Sequence, residues 1–186
     1  MKWMMLGGIT LALIGCMGHA RPEWVKNNKE AFLHDRTFYG VGSVSGISDF
    51  GMSEMTARDM ALSHIRKTLE AFSLALIQEY KNSLTDSALK KAEAAGNMPL
   101  FFQTPIAIVL LQVETDDTWT DPDDNMAYIL AQLKLRWYVK EVARTNEINP
   151  ALRAFIKNNA SRVFDEFKTK TEAAPLPPLE EAPAVS

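Results

Sequence analysis

Apolar positions along the chain change their spacing several times, and each change marks an element. Residues 38–45 (FYGVGSVS) read as a short strand, with Gly40 and Gly42 on one face and Tyr39, Val41 and Ser43 on the other. Missing side chains on one face let a helix approach closely. Residues 48–53 read as a turn, with Ser53 as helix N-cap and Glu54 in the first turn. From residue 54 to 82, Leu62, Ile65, Leu69, Phe72, Leu76 and Tyr80 recur at three- and four-residue steps, and Ala57, Ala61 and Ala75 widen the stripe. That spacing predicts one long amphipathic helix. Residues 87–95 either continue it or form a second helix, and the Gly96-Asn97-Met98-Pro99 run stops it.

Two apolar stretches follow. Residues 106–114 (IAIVLLQVE) read as a strand, and residues 126–140 as a longer one with period two. In the longer one Ala127, Ile129, Ala131, Leu133, Leu135, Trp137 and Val139 share one face. Gln132, Lys134, Arg136 and Lys140 share the other, with Tyr128 and Tyr138 among them. The acidic residues 115–125 then form the hairpin loop. Asn149-Pro150 is a strong helix start, and Leu152, Phe155, Ile156, Val163, Phe164 and Phe167 form the stripe of the helix after it. The order is β-α-β-β with a C-terminal helix. The expected fold is α+β, a three-stranded antiparallel sheet packed against one long helix. Ile106, Ile108 and Leu110 fall on the face expected to be wet, which implies a cover from the C-terminal helix or another subunit.

The N-terminus adds a compartment. MKWMMLGGITLALIGC has one positive residue, Lys2, then an apolar run shorter than the roughly 20 residues of a membrane-spanning helix. Leu13-Ile14-Gly15-Cys16 has the pattern of a bacterial lipobox, with an aliphatic residue, a tolerated one, a small one and cysteine. A lipid transferase uses the thiol, and the signal peptidase needs the small residue before the cut. The alternative is a short membrane anchor in which Cys16 is incidental. The division expected is a signal peptide over residues 1–15, a lipidated tether over 16–36, a domain over 37–170 and a disordered Pro-rich tail over 171–186. Within the tether Trp24 is an aromatic anchor expected to dock on the domain. Met17 follows the cysteine where an aspartate would signal inner-membrane retention, so the outer membrane is the expected location.

Composition narrows the partners. With 47% apolar and 23% charged residues the chain is ordinary globular protein, and a net charge of −3 offers no basic field for nucleic acid. Cys16 is its only cysteine, which leaves no disulfide and no cysteine-based zinc site.

With these segments in place the chain resembles the Lpp-twenty family, the twenty-kilodalton bacterial outer-membrane lipoproteins. The matching pieces are the lipobox ending at Cys16, Pro22-Glu23-Trp24-Val25, Tyr39-Gly40-Val41-Gly42-Ser43, and Ala57-Arg58 with Ala61. They come in the family's order and cover about the first half of the mature chain; the Pro-rich tail is not a family feature. The resemblance implies a non-enzymatic envelope lipoprotein without a cofactor beyond the covalent lipid. Some relatives are surface antigens, and others are parts of rings or disks around the flagellar motor.

Candidate chemistry is sparse. Gly40-x-Gly42-x-x-x-Gly46 is not a dinucleotide fingerprint and lies within a strand. Asp116, Asp117, Asp121, Asp123 and Asp124 are oxygen ligands of the kind calcium takes, without the EF-hand order. They read better as a solvated loop. His19, His34 and His64 lack metal-ligand spacing, and no serine sits in a nucleophile motif. Arg58, at the start of the long helix, is a candidate contact to a carboxylate on the tether or on a neighbouring subunit, and reads equally well as a solvated surface arginine. Three functions stay in play: a structural or assembly lipoprotein, possible as a homo-oligomer; a binding module for a small envelope lipid or glycan; and, least supported, a hydrolase.

Overall fold

A computed structural model describes residues 21–26, 36–94 and 98–173. The fold is α+β. A three-stranded antiparallel sheet in the order β1-β3-β2 is built from β1 (Thr37–Val44), β2 (Glu114–Thr120) and β3 (Ala127–Lys134). Helix α1 (Glu23–Lys26) precedes the sheet, and α2 (Phe50–Asn82) follows β1. Then come α3 (Asp86–Ala94), a 3-10 turn (Met98–Phe102), α4 (Gln103–Val109) and a second 3-10 turn (Leu110–Gln112). After β3 come α5 (Leu135–Arg144) and α6 (Pro150–Ala173).

Close packing of α2 on β1 follows from the two strand glycines. A Cβ on Gly40 would lie 2.3 Å from the Ala61 carbonyl oxygen, and one on Gly42 would lie 1.9 Å from that of Ala57. Ala57 and Ala61 complete the contact, and both are fully buried. From there Ile65, Leu69, Phe72 and Leu76 run down the sheet against Ala127, Ile129, Ala131 and Leu133, the inner face of β3. Helix α6 closes the core with Leu152, Ile156, Val163 and Phe164. Its start is capped as the sequence indicates, with Asn149 Oδ1 accepting from the Leu152 N–H (2.8 Å). Phe38 and Phe164 meet edge to face at 5.0 Å between centroids, and Phe72 meets Phe167 at 5.6 Å, so rings from β1, α2 and α6 interlock.

Four local expectations are corrected. The N-cap of α2 is Asp49, whose Oδ1 accepts from the Met52 N–H (2.7 Å); Ser53 is a buried first-turn residue. Residues 106–112 are helical. Phe102, Ile106, Val109 and Val113 are buried at steps of four, three and four, while Ile108 and Leu111 point outward. Pro105 sits in the first turn of α4, where it is tolerated, and it would have broken a sheet ladder. The second strand is the acidic segment expected to be a loop. β2 is an exposed edge whose Thr115, Thr118, Trp119 and Thr120 favour extended backbone, with a bulge between Thr115 and Asp117. Its carboxylates deter pairing with another sheet. Lastly, β3 stops at Lys134. The pattern from 135 onward satisfies both periods, and the helical one wins: Leu135, Tyr138 and Val142 are buried, while Trp137 and Val139 are partly exposed. Tyr138, expected on the wet face, is fully buried, its hydroxyl 2.6 Å from Ser73 Oγ.

Candidate functional site

Two regions at opposite ends of the sheet carry candidate chemistry, and the residues singled out from the sequence bear on the first of them. Cys16 lies outside the described residues. Trp24 is buried on the sheet face opposite α2, packed with Val41, Tyr128 and Leu130. This second small core makes the face expected to be wet half dry. The Trp24 indole N–H donates to Asp117 Oδ2 (2.7 Å), and the Pro22 carbonyl accepts from the Val25 N–H (3.0 Å). Arg21 adds an ion pair, Nη2 to Asp121 Oδ2 at 2.5 Å, and its guanidinium lies 5.4 Å above the Trp119 ring. The hydrogen bond from Arg21, with another from the Asp123 N–H, holds the Asp121 carboxyl below the usual range, and the same pair raises the Arg21 pKa. Residues 21–26 are thus fastened to β2 and the β2–β3 turn at three points.

That arrangement absorbs the acidic cluster. Asp117 and Asp121 hold the N-terminal segment, Asp116 accepts from Gln132 (2.7 Å), and Asp124 accepts from the Met126 N–H (2.9 Å). Among the described residues no group of three or more His, Cys, Asp and Glu side chains could hold a metal ion. His64 is half-buried, and its Nδ1 accepts from the Val41 N–H (3.3 Å) at the free edge of β1. Burial lowers its pKa, with a contribution from Lys67. Its role is to satisfy a strand edge. Arg58 is exposed on α2, and its side chain makes no hydrogen bond or ion pair among the described residues.

The second region is a cleft of about 530 Å³ where the far end of the sheet meets α5 and α6. Leu135, Val139, Ala143 and Ala160 form its apolar walls, and Arg36, Lys134, Arg136, Lys140 and Lys157 surround them. Only Arg36 has a carboxylate partner among the described residues, Asp165, with Nε to Oδ1 at 3.2 Å and Nη2 to Oδ2 at 2.9 Å. Arg36 has a φ of 34°, in the left-handed region that a non-glycine residue rarely adopts. Two contacts hold it there: the Asp165 pair, and its carbonyl, which accepts from the Leu135 N–H (2.9 Å). Arg136 and Lys140 flank Trp137 at 5.3 and 4.8 Å from its ring. Four cations without a carboxylate around apolar walls, in a chain of net charge −3, suit a ligand with an apolar body and more than one negative group. The sequence reading missed this site because it read residues 135–140 as strand. Spaced as a helix, Arg136 and Lys140 fall one turn apart on one side.

No helix among the described residues is long and apolar enough to cross a membrane. No protein-family model and no curated protein matches the chain.

Proposed function

We propose that the chain is a non-catalytic lipoprotein of the bacterial cell envelope, held at the outer membrane by a lipid on Cys16. Its α+β domain serves as a structural or assembly part that works through protein–protein contacts, with itself or with other envelope proteins. Among the Lpp-twenty proteins that the chain resembles, some are surface antigens and others are parts of rings around the flagellar motor, and such a ring is one place that a structural part of this kind would serve. The observation that carries this reading is how few residues separate Cys16 from the point where the chain is fastened to the domain. Four residues separate Cys16 from Arg21, where the chain is already fastened to the domain through Asp121 and, at Trp24, through Asp117. A freely roaming receptor gains from a long spacer. A domain fastened this near its lipid is held at one height and a restricted orientation, as a repeated building part needs. Labelling with radioactive palmitate tests the anchor: Cys16→Ser should abolish it and leave an uncleaved precursor, and undiminished labelling would sink the claim. Crosslinking in intact cells tests the assembly role. A chain that stays strictly monomeric and captures no envelope partner overturns it.

The basic cleft favours a second reading, a binding module for a small anionic envelope ligand, lipid or glycan. Such a ligand should raise the melting temperature of the domain, and Lys140→Glu with Lys157→Glu should remove that rise. An unchanged rise in the double variant excludes the cleft.

A further inference from the structure

The end of the domain that fastens the N-terminal segment also has a cluster of exposed apolar side chains. β1 ends at Val44, level with Ala127 of β3. The Arg21–Asp121 pair sits just past that level, where the Asp121 N–H donates to the Met126 carbonyl (2.8 Å). The chain after Val44 turns back as α2, whose Ala57 lies against Gly42. Phe50, the first residue of α2, lies about 10 Å along the helix axis from Ala57 toward this end. Val44 reaches only about 7 Å beyond Gly42. Phe50 therefore reaches past the end of β1, on the side where the β2–β3 turn also extends, and Met52 lies level with Val44. Phe50 and Met52, in the first turn of α2, are 67% and 56% exposed, and Met55, in the next turn, is 62% exposed. At 100° per residue Met52 and Met55 share one side of the helix, and Phe50 lies on the other with Glu54 beside it.

The geometry points to this tip as the domain's contact with the bilayer surface that holds the lipid of Cys16, an inference that rests on the lipoprotein reading above. The short link to Cys16 decides the occupant. Five residue steps at up to about 3.6 Å each allow at most about 18 Å between the lipidated cysteine and Arg21. A folded partner of even 100 residues is wider than that, with a radius of gyration of about 13 Å. The membrane therefore already fills the space before the tip. Charge decides the mode. Asp49 and Glu54 flank the tip, and Asp123 and Asp124 lie on the β2–β3 turn at the same end. Arg58 is the first cation of α2. These carboxylates oppose anionic headgroups, and the contact works by seating Phe50, with Met52 and Met55 behind it, about 5–10 Å into the headgroup boundary. Arg58, about 12 Å along the axis from Phe50, then lies level with the phosphates and can extend its guanidinium to them.

The test uses the full mature chain in vesicles of phosphatidylethanolamine and phosphatidylglycerol, with acylation of Cys16 read by mass spectrometry. Because Cys16 is the only cysteine, Met55→Cys and, separately, Lys157→Cys each give one site for an environment-sensitive dye. Both positions are exposed, so the substitutions spare the fold. The dye at 55 should emit to the blue and be quenched severalfold more by lipids brominated near the headgroup than the dye at 157, beside the cleft at the other end. Phe50→Ser with Met55→Ser should abolish most vesicle binding by residues 16–186 made without the signal segment and carrying Cys16→Ser. Absence of acyl groups on Cys16 overturns the lipoprotein reading and this contact with it. Acylated Cys16 with equal quenching at the two positions overturns the contact alone. So does a dye at 55 that is shielded from water, unquenched by lipid and crosslinked to a second chain.

Discussion

The tightest contact in the domain is where β1 meets α2, and Gly42→Ala tests it. The added Cβ would lie 1.9 Å from the Ala57 carbonyl oxygen and 2.6 Å from the Ala61 nitrogen. Reaching an ordinary contact of 3.4 Å requires the two backbones to separate by about 1.5 Å at that level. Neither obstacle is a side chain that can rotate away. α2 is a single 33-residue helix, so backing it off at Ala57 also loosens Ile65, Leu69 and Phe72 against β3. Overpacking costs about 1–3 kcal/mol where side chains can adjust. Here the expected loss is about 3 kcal/mol or more, a large part of the 5–15 kcal/mol typical of a domain.

Urea titration of the mature chain with Cys16→Ser, followed by circular dichroism, reads this as a lower midpoint at an unchanged slope. Two companions sharpen it. Gly51→Ala meets nothing closer than Asp49 Oδ1 at 3.5 Å and lies in the first turn of α2, so it should leave stability unchanged or raise it by up to about 0.5–1 kcal/mol. Ala57→Gly in the Gly42→Ala background should rescue nothing, because the obstacle is the Ala57 carbonyl rather than its methyl. A Gly42→Ala chain within about 0.5 kcal/mol of the parent, or one restored by Ala57→Gly, would refute the backbone-contact reasoning.

Three further outcomes are expected. Ser73 Oγ donates to the Leu69 carbonyl (2.7 Å), so the buried Tyr138 hydroxyl donates to Ser73. Ser73→Ala orphans that hydroxyl and should cost about 1–3 kcal/mol, more than Tyr138→Phe, with the double variant costing less than the sum by thermal melts. The carboxyls of Asp121 and Asp165 are held low by Arg21 and Arg36. Their contribution is present above the ordinary carboxylate pKa of about 4 and is lost as pH falls through the depressed values. The urea midpoint should fall over that acid range, and Arg21→Gln should remove the Asp121 share of the fall. Ending the chain before Asn149 removes the buried Leu152, Ile156, Val163 and Phe164, each contributing about 1.5–3 kcal/mol, so circular dichroism should show an unfolded chain.

What the sequence made legible was wherever one period had no rival. The α2 stripe runs unbroken through residue 80, and its Gly/Ala contact with β1 follows from Gly40 and Gly42 alternating with larger residues. The cap at Asn149 needed only Asn-Pro. What misled were short runs that satisfy two periods at once. Residues 106–112 are apolar at almost every position, so burial alone could not separate helix from strand; Pro105 was the overlooked signal. Residues 135–140 kept the strand alternation while also spacing Leu135 and Tyr138 for a helix. That error hid the cleft, since Arg136 and Lys140 read as a strand's wet face. The acidic β2 failed for a different reason. Asp and Glu count against strand by propensity, but at an unpaired edge they guard against pairing with other sheets, and tertiary position overrode the local preference.

The two regions acquire a relation once the sheet is used as a ruler. β3 spans eight residues from Ala127, beside the N-terminal segment, to Lys134, on the rim of the cleft, and at strand rise that is about 23 Å. If the tip of α2 meets the membrane with Arg58 at the phosphates, that level is near Ile129, the partner of Gly42, and Lys134 on the cleft rim stands about 16 Å above it. That is beyond the roughly 8–10 Å over which headgroup charge acts at physiological salt. Headgroups of the anchoring leaflet then cannot be what the cleft binds. Its ligand has to come from the other side, as a glycan, a soluble anion or an acidic segment of a protein. The lipid half of the binding-module reading and the tip-first orientation thus exclude one another. A lipid-anchored chain whose Lys140→Glu, Lys157→Glu variant loses vesicle contact while Phe50→Ser, Met55→Ser keeps it would stand the domain on its other end.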